Sequence, residues 1–150
     1  MFPNEAKDLK WLADTKAFAL NWSKDPSTKV GAQIVDNWGA PVSRGVNGFP
    51  RKIADDNRLN NRELKYKMII HAEENAFIFA KGRELRYSKI YTWPFMPCPH
   101  CASLIIQHGI GEVISLHSDI ERWQRDFQLS TQLLGEAGVL LALYEPEELK

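Results

Sequence analysis

A chain of 150 residues suits one domain with a true core and leaves little room for a second. Hydrophobic residues at 44% and charged residues at 25% are ordinary for a soluble globular protein, and 19 basic side chains balance 19 acidic ones for a formal net charge of +0. That balance excludes a global field for nucleic acid and favours a small-molecule partner. No run approaches about 18 apolar residues and no basic start leads into an apolar stretch, so the expectation is a soluble, unsecreted, cytoplasmic protein with no membrane contact.

From Glu5 to Trp22 apolar residues at Leu9, Leu12, Ala13, Ala17 and Leu20 predict a helix with its stripe along those positions. Ser23-Lys24-Asp25-Pro26 ends it. Val30 to Val35 reads as a buried strand, Asp36 to Gly39 as a turn, and Pro41 to Val46 as the antiparallel return. From Arg51 to Lys67 the chain is polar and charged, which predicts a long loop or lid; its basic cluster, Arg51, Lys52, Arg58, Arg62, Lys65 and Lys67, reads as a solvated loop, the alternative being a lid that closes over phosphates. Ala72 to Ala80 predicts a buried helix ending near Gly82. A strand at Lys89 to Trp93, a helix opening at Cys98 and stopping at Gly109, and a strand at Glu112 to Leu116 follow. An amphipathic helix from Ile120 to Glu136 and a last strand, Val139 to Tyr144, complete the set. Helices alternating with strands after an opening hairpin imply an α/β fold, a mixed sheet covered on both faces. Ligands of such sheets bind where strands end and helix N-termini begin.

The chemistry gathers in two pieces, His71-Ala72-Glu73 and Pro97-Cys98-Pro99-His100-Cys101. These two are the only cysteines, which excludes a disulfide framework and suits a reducing compartment. His71, Cys98 and Cys101 offer one imidazole and two thiolates, a set that holds Zn²⁺ tetrahedrally and leaves a fourth position for water. Glu73 is then free to move protons for that water. Cys98 and Cys101 are i and i+3 on a helix's first turn, with Pro99 at the first helical position where its missing N–H is harmless. His71 and Glu73 would diverge by about 200° inside a helix, so they converge only at its N-terminus. There the positive end of the dipole favours thiolates and a carboxylate. Taken alone, C-x-x-C reads as a redox pair or a structural zinc site as readily as a catalytic one; the H-A-E piece turns the reading towards catalysis. His100, His108 and His117 receive no role.

H-x-E followed by P-C-x-x-C, with the Glu not a ligand, is the signature of zinc nucleobase deaminases. Together with S-K-D-P-S-T-K-V-G-A (Ser23 to Ala32), V-N-G-F-P (Val46 to Pro50), N-R-E-L-K-Y (Asn61 to Tyr66), H-A-E-E-N-A (His71 to Ala76), P-C-P-H-C-A (Pro97 to Ala102) and I-I-Q-H-G-I (Ile105 to Ile110), the chain resembles the deoxycytidylate (dCMP) deaminases of the cytidine-deaminase-like superfamily. The resemblance implies a three-layer α/β/α sandwich around a mixed five-stranded sheet, a single deaminase domain over residues 1–150, and a homo-oligomer, often a hexamer. It implies one Zn²⁺ per chain on His71, Cys98 and Cys101, with Glu73 as proton shuttle. Asn47 matches the residue that holds the sugar hydroxyl, and the Ala72 N–H and Pro97 C=O match backbone groups that read the cytosine ring. Lys29 is the candidate for the phosphate, its plain alternative being a surface lysine. The implied reaction is hydrolysis of dCMP to dUMP and ammonia, with dCTP and dTTP as candidate effectors and Mg²⁺ as the ion that would accompany one. Val46 departs from the aromatic of the family's G-Y-N-G loop, which is associated with that regulation, and the run Tyr91 to Met96 departs from the usual lead-in to P-C. The alternatives carried alongside are a deaminase of dCTP or deoxycytidine, a non-catalytic zinc or nucleotide-sensing module, and a thiol redox protein.

Overall fold

The computed structural model describes residues 4–149. Helix α1 (Glu5–Trp22) leads into the hairpin β1 (Gly31–Val35) and β2 (Pro41–Val46). Asp36 closes that hairpin, its carboxylate accepting from the Trp38 and Ala40 N–H groups at 2.9 Å each. Two short helices follow, α2 (Arg62–Met68) and α3 (Ala72–Phe79). Next come β3 (Lys89–Trp93), α4 (Pro99–Gln107), β4 (Glu112–Leu116), α5 (Gln124–Glu136) and β5 (Leu140–Tyr144). The sheet runs β2-β1-β3-β4-β5. β1 is antiparallel to both neighbours, whereas β3, β4 and β5 are parallel. This is the mixed five-stranded sheet that the alternating elements predict.

Strand periodicity explains the layers, because successive side chains leave opposite faces. Ala32, Ile34, Ile90 and Val113 face one way and bury against Ala72, Ala76 and Phe77 of α3, Ala102 and Ile105 of α4 and Leu134 of α5. Val35, Tyr91, Ile114, Leu116, Ala142 and Tyr144 face the other way, against Leu12 of α1. Parallel strands need crossover connections, and here α4 and α5 provide them. Among the described residues no helix is long and apolar enough to cross a membrane.

Two expectations change. The buried face of α1 is Asp8, Leu12, Thr15 and Ala19, while Ala17, Leu20 and Trp22 are exposed. Asp8 displaces the apolar stripe because its carboxylate accepts from two buried phenols, Tyr91 Oη at 3.0 Å and Tyr144 Oη at 2.7 Å. The polar run from Arg51 to Lys67 is not all loop: a 3₁₀ turn (Asn57–Asn60) and α2 form within it. The side chains of Asp56 and Asn61 supply the N-caps, accepting from the Arg58 and Leu64 N–H groups.

Close approach of β2 to α3 sets the position of the α3 N-terminus. A Cβ on Gly45 would lie against the Ala72 carbonyl, 2.5 Å from the Ala76 nitrogen, so only glycine admits the helix here. Ser43 Oγ donates to the Ala76 carbonyl at 2.7 Å and Asn75 Nδ2 to the Val46 carbonyl at 2.8 Å, locking the contact. Paired backbone bonds between Gly48 and Ile70, at 3.0 and 2.8 Å, hold the residue before His71 to the same sheet edge.

Candidate metal centre and active site

His71 is the N-cap of α3 and Cys98 the N-cap of α4, with Pro99 the first helical residue as its missing donor predicts. Gly109, at φ +78°, takes the left-handed position just past the end of α4. Glu74 anchors the first helix: its Oε1 accepts from the His71 N–H at 2.9 Å, and its Oε2 lies 3.5 Å from His100 Nε2. Sequence reasoning left both residues without a role; a Glu three positions after an N-cap was the available signal. The two helix ends bring His71 Nδ1 to 3.6 Å from Cys98 Sγ and 3.3 Å from Cys101 Sγ.

These separations test the fit of a metal. Sulfur and nitrogen ligands of a tetrahedral zinc, about 2.3 and 2.0 to 2.1 Å from the ion, stand about 3.6 Å from one another. The observed spacings match. Among the described residues only His71, Cys98 and Cys101 form such a donor group. The donors share protons between them. The Cys101 hydrogen bond and the His71 ring pull the Cys98 thiol down to about 4, and Cys98 in turn raises His71 to about 9. Its hydrogen bond to Cys98, with burial, pushes the Cys101 thiol far above the usual range. A metal taking all three must displace those protons, so binding tightens as pH rises.

Glu73, the second residue of α3, is 5% exposed. Burial, and then the Cys98 thiolate, push its pKa up to about 7. It lines a pocket of about 180 Å³ with His71, Ala72, Cys98 and Asn47. Cys101 and Pro97 are buried behind that wall, outside the lining.

Asn47 is already fully engaged. Its Oδ1 accepts from Ser23 Oγ at 2.7 Å and the Val30 N–H at 3.0 Å, and its Nδ2 donates to the Thr28 carbonyl at 2.8 Å and Asp25 Oδ2 at 3.3 Å. Those four bonds spend all its valences. Lys29 lies apart from the pocket, its ammonium donating to the Ser23 carbonyl at 2.6 Å. Lys65, which the polar run disguised, is buried instead, bonding Asp25 Oδ1 at 3.2 Å and Ser27 Oγ at 2.8 Å. Although burial works against it, bonds from the Thr28 and Ser27 N–H groups and from Lys65 hold the Asp25 carboxyl below its usual range. Sequence reasoning also missed the far wall, where Arg122, Trp123 and Phe127 close the pocket; their only signal was membership of the amphipathic stretch.

A structural zinc closes its shell with four protein ligands, whereas three soft donors beside a buried carboxylate that titrates near neutrality suit a zinc hydrolase, with a coordination position left for the reacting molecule. Comparison narrows that class. A model of the cytidine and deoxycytidylate deaminase zinc-binding region matches residues 6–117. The chain is 43% identical over 122 residues to an uncharacterized deaminase of the luxG 3′ region of Aliivibrio fischeri, covering 79% of this chain and 81% of that one. It is 36% identical over 145 residues to a probable deoxycytidylate deaminase of Drosophila melanogaster, covering 89% and 70%. The crystal structure of dCMP deaminase from the cyanophage S-TIM5 in complex with dCMP and dUMP superposes with a TM-score of 0.71 at 25% identity, covering 95% of this chain and 98% of that one. The chain belongs to the cytidine and deoxycytidylate deaminase family.

Proposed function

We propose that this protein hydrolyses dCMP to dUMP and ammonia, supplying dUMP for thymidylate synthesis, with residues 1–150 acting as one deaminase domain. The observation that carries the reading is Glu73, a buried carboxyl with a pKa of about 7 beside a His–Cys–Cys donor set on a pocket wall. Likeness to the cyanophage enzyme bound to dCMP and dUMP supports the choice of nucleotide.

A zinc ion held by His71, Cys98 and Cys101 would supply Lewis-acid activation of water, bringing its pKa from about 15.7 towards 7. Glu73 accepts one proton from the attacking water and delivers it to N3 of the cytosine, then takes the remaining hydroxyl proton and delivers it to the departing amine, so one water enters and one ammonia leaves. A pKa near the working pH suits a group that must both take and give. The Ala72 N–H, first in α3 and so without an intrahelical acceptor, is available to the ring. The family resemblance assigns the Pro97 carbonyl to the ring as an acceptor, although Pro97 stands outside the pocket lining. Asn47 reaches a sugar hydroxyl by giving up its longest bond, that to Asp25. Lys29 reaches a phosphate only by leaving the Ser23 carbonyl. The family resemblance extends the reading to a homo-oligomer, a hexamer on the family pattern, with dCTP and dTTP as effectors and Mg²⁺ accompanying an effector. Two unbridged thiols are in keeping with a cytosolic setting.

The test is ammonia release at neutral pH across dCMP, dCTP, deoxycytidine, CMP and cytosine, with zinc measured on the same sample. The expected result is a clear lead for dCMP. Zinc bound at one per chain with none of the five turned over would overturn the reading in favour of a nucleotide-sensing module.

A further inference from the structure

Glu73 and Cys98 line one end of the pocket. At the other, α2 and the 3₁₀ turn Glu121–Trp123 meet across the opening, where Tyr66 and Trp123 pack edge-on with ring centroids 6.4 Å apart at 64°. Arg62 precedes Tyr66 by one turn of α2 and therefore shares its face. Arg122 adjoins Trp123, its guanidinium 5.2 Å from that ring's centroid. The aromatic contact thus brings one arginine from each side to the same rim, and both line the pocket.

The state of these charges distinguishes them from the third cation there. Lys65 is buried and committed to Asp25 and Ser27. Arg62 and Arg122 are exposed, and among the described residues neither has a carboxylate within ion-pair distance, although Asp126 also lines the pocket. A planar guanidinium with no counter-charge is suited to two-point recognition of a phosphate, and that of Arg122 also lies against an aromatic face. A chain of zero formal net charge offers a nucleotide no general attraction, so any pull must be local.

We propose that Arg62 and Arg122 form a clamp for the substrate's phosphate, with Arg122 the specificity-determining residue from the α5 side. This rests on the nucleotide-deaminase reading and adds to it what separates a nucleotide from its nucleoside. Lys65 serves beneath the clamp as a positioning residue, neutralising Asp25 so that an incoming anion meets no bare carboxylate.

Steady-state deamination of dCMP and deoxycytidine by the parent, Arg62→Gln, Arg122→Gln and Arg122→Lys tests the clamp, alongside dUMP binding by calorimetry. Each Gln variant is expected to raise KM for dCMP about 10- to 100-fold, the worth of one charge-assisted hydrogen bond. The preference for dCMP over deoxycytidine should fall by the same factor, and the salt dependence of KM should flatten. Arg122→Lys should recover part of the loss, since the charge survives without the fork. A KM for dCMP within about twofold of the parent in both Gln variants, or an equal loss on both substrates, overturns the clamp while leaving deamination intact. If the parent deaminates nothing, the functional reading fails; dUMP binding weakened in the Gln variants would then still uphold the clamp, and unchanged binding would end it.

Discussion

Replacing Glu73 with Gln keeps the shape of a buried side chain while removing its charge and its capacity to carry a proton. The folded chain gives up the Glu73 proton at about 7 instead of the ordinary 4.5, because burial and then the Cys98 thiolate disfavour the charge. Below about pH 4.5 both folded and unfolded states hold that proton, so the group costs nothing. As pH rises towards 7 the unfolded chain releases its proton first, and folding loses stability until the folded group has also ionised. The interval from 4.5 to about 7, at about 1.36 kcal/mol per tenfold in proton affinity, makes the full penalty about 3 kcal/mol. Metal-free Glu73→Gln is therefore expected to exceed the metal-free parent in stability by about 3 kcal/mol at pH 8 and to match it near pH 4.5. Its turnover, with zinc restored, should fall by about 10² to 10⁴. Urea unfolding followed by tryptophan fluorescence, repeated from pH 4.5 to 8 after chelation, reads the first effect, and ammonia release reads the second. A Gln variant no more stable than its parent at pH 8, or one whose advantage ignores pH, would refute the buried-charge argument. Near-normal turnover would refute the proton-carrying role.

Cys101→Ala leaves two donors, so bound zinc should drop from one per chain to a small fraction, as elemental analysis after gel filtration would read; full retention would contradict the ligand set. Gly45→Ala drives a methyl against the Ala72 carbonyl and the Ala76 nitrogen. The expected loss is about 1 to 3 kcal/mol in thermal unfolding, with reduced kcat because His71 and Glu73 move with α3; an unchanged melting curve would count against the packing described. Lys65→Met strands the Asp25 carboxylate, whose pair is buried on both sides at 10% and 2% side-chain exposure, and should cost about 3 to 5 kcal/mol. Adding Asp25→Leu should restore part of it, and a double variant as unstable as the single would contradict a charge-based cost.

What could be read in the sequence was local. Pro99 at the first turn, Gly109 past the last, the H-A-E and C-P-H-C spacings and the turn that follows β1 each act within a few residues, so the candidate metal donors and the strand set were legible. Burial of charge was not. Lys65 looks like any lysine of a polar run until Asp25, forty residues away, is folded against it. Asp8 reads as the solvated side of α1 because the phenols that admit it to the core lie at positions 91 and 144. The Asn47 side chain was legible as a candidate contact, but its four commitments depend on Ser23, Asp25, Thr28 and Val30 converging on it. The rim arginines share this character, since Arg62 and Arg122 become neighbours only through the meeting of Tyr66 with Trp123.

The Asp8 clamp also bears on the order in which the molecule is made. Synthesis runs from the N-terminal side, so His71, Cys98 and Cys101 are all made before β4, α5 and β5. The second phenol on Asp8 arrives only with Tyr144, 136 residues after its partner. Until then one carboxylate oxygen must keep its water, and α1 cannot seat fully on the sheet. Contacts this far apart in the chain close late and slowly. The candidate donor set is thus complete in the chain before the scaffold around it, and the seam that seats α1 on the sheet is the last to close.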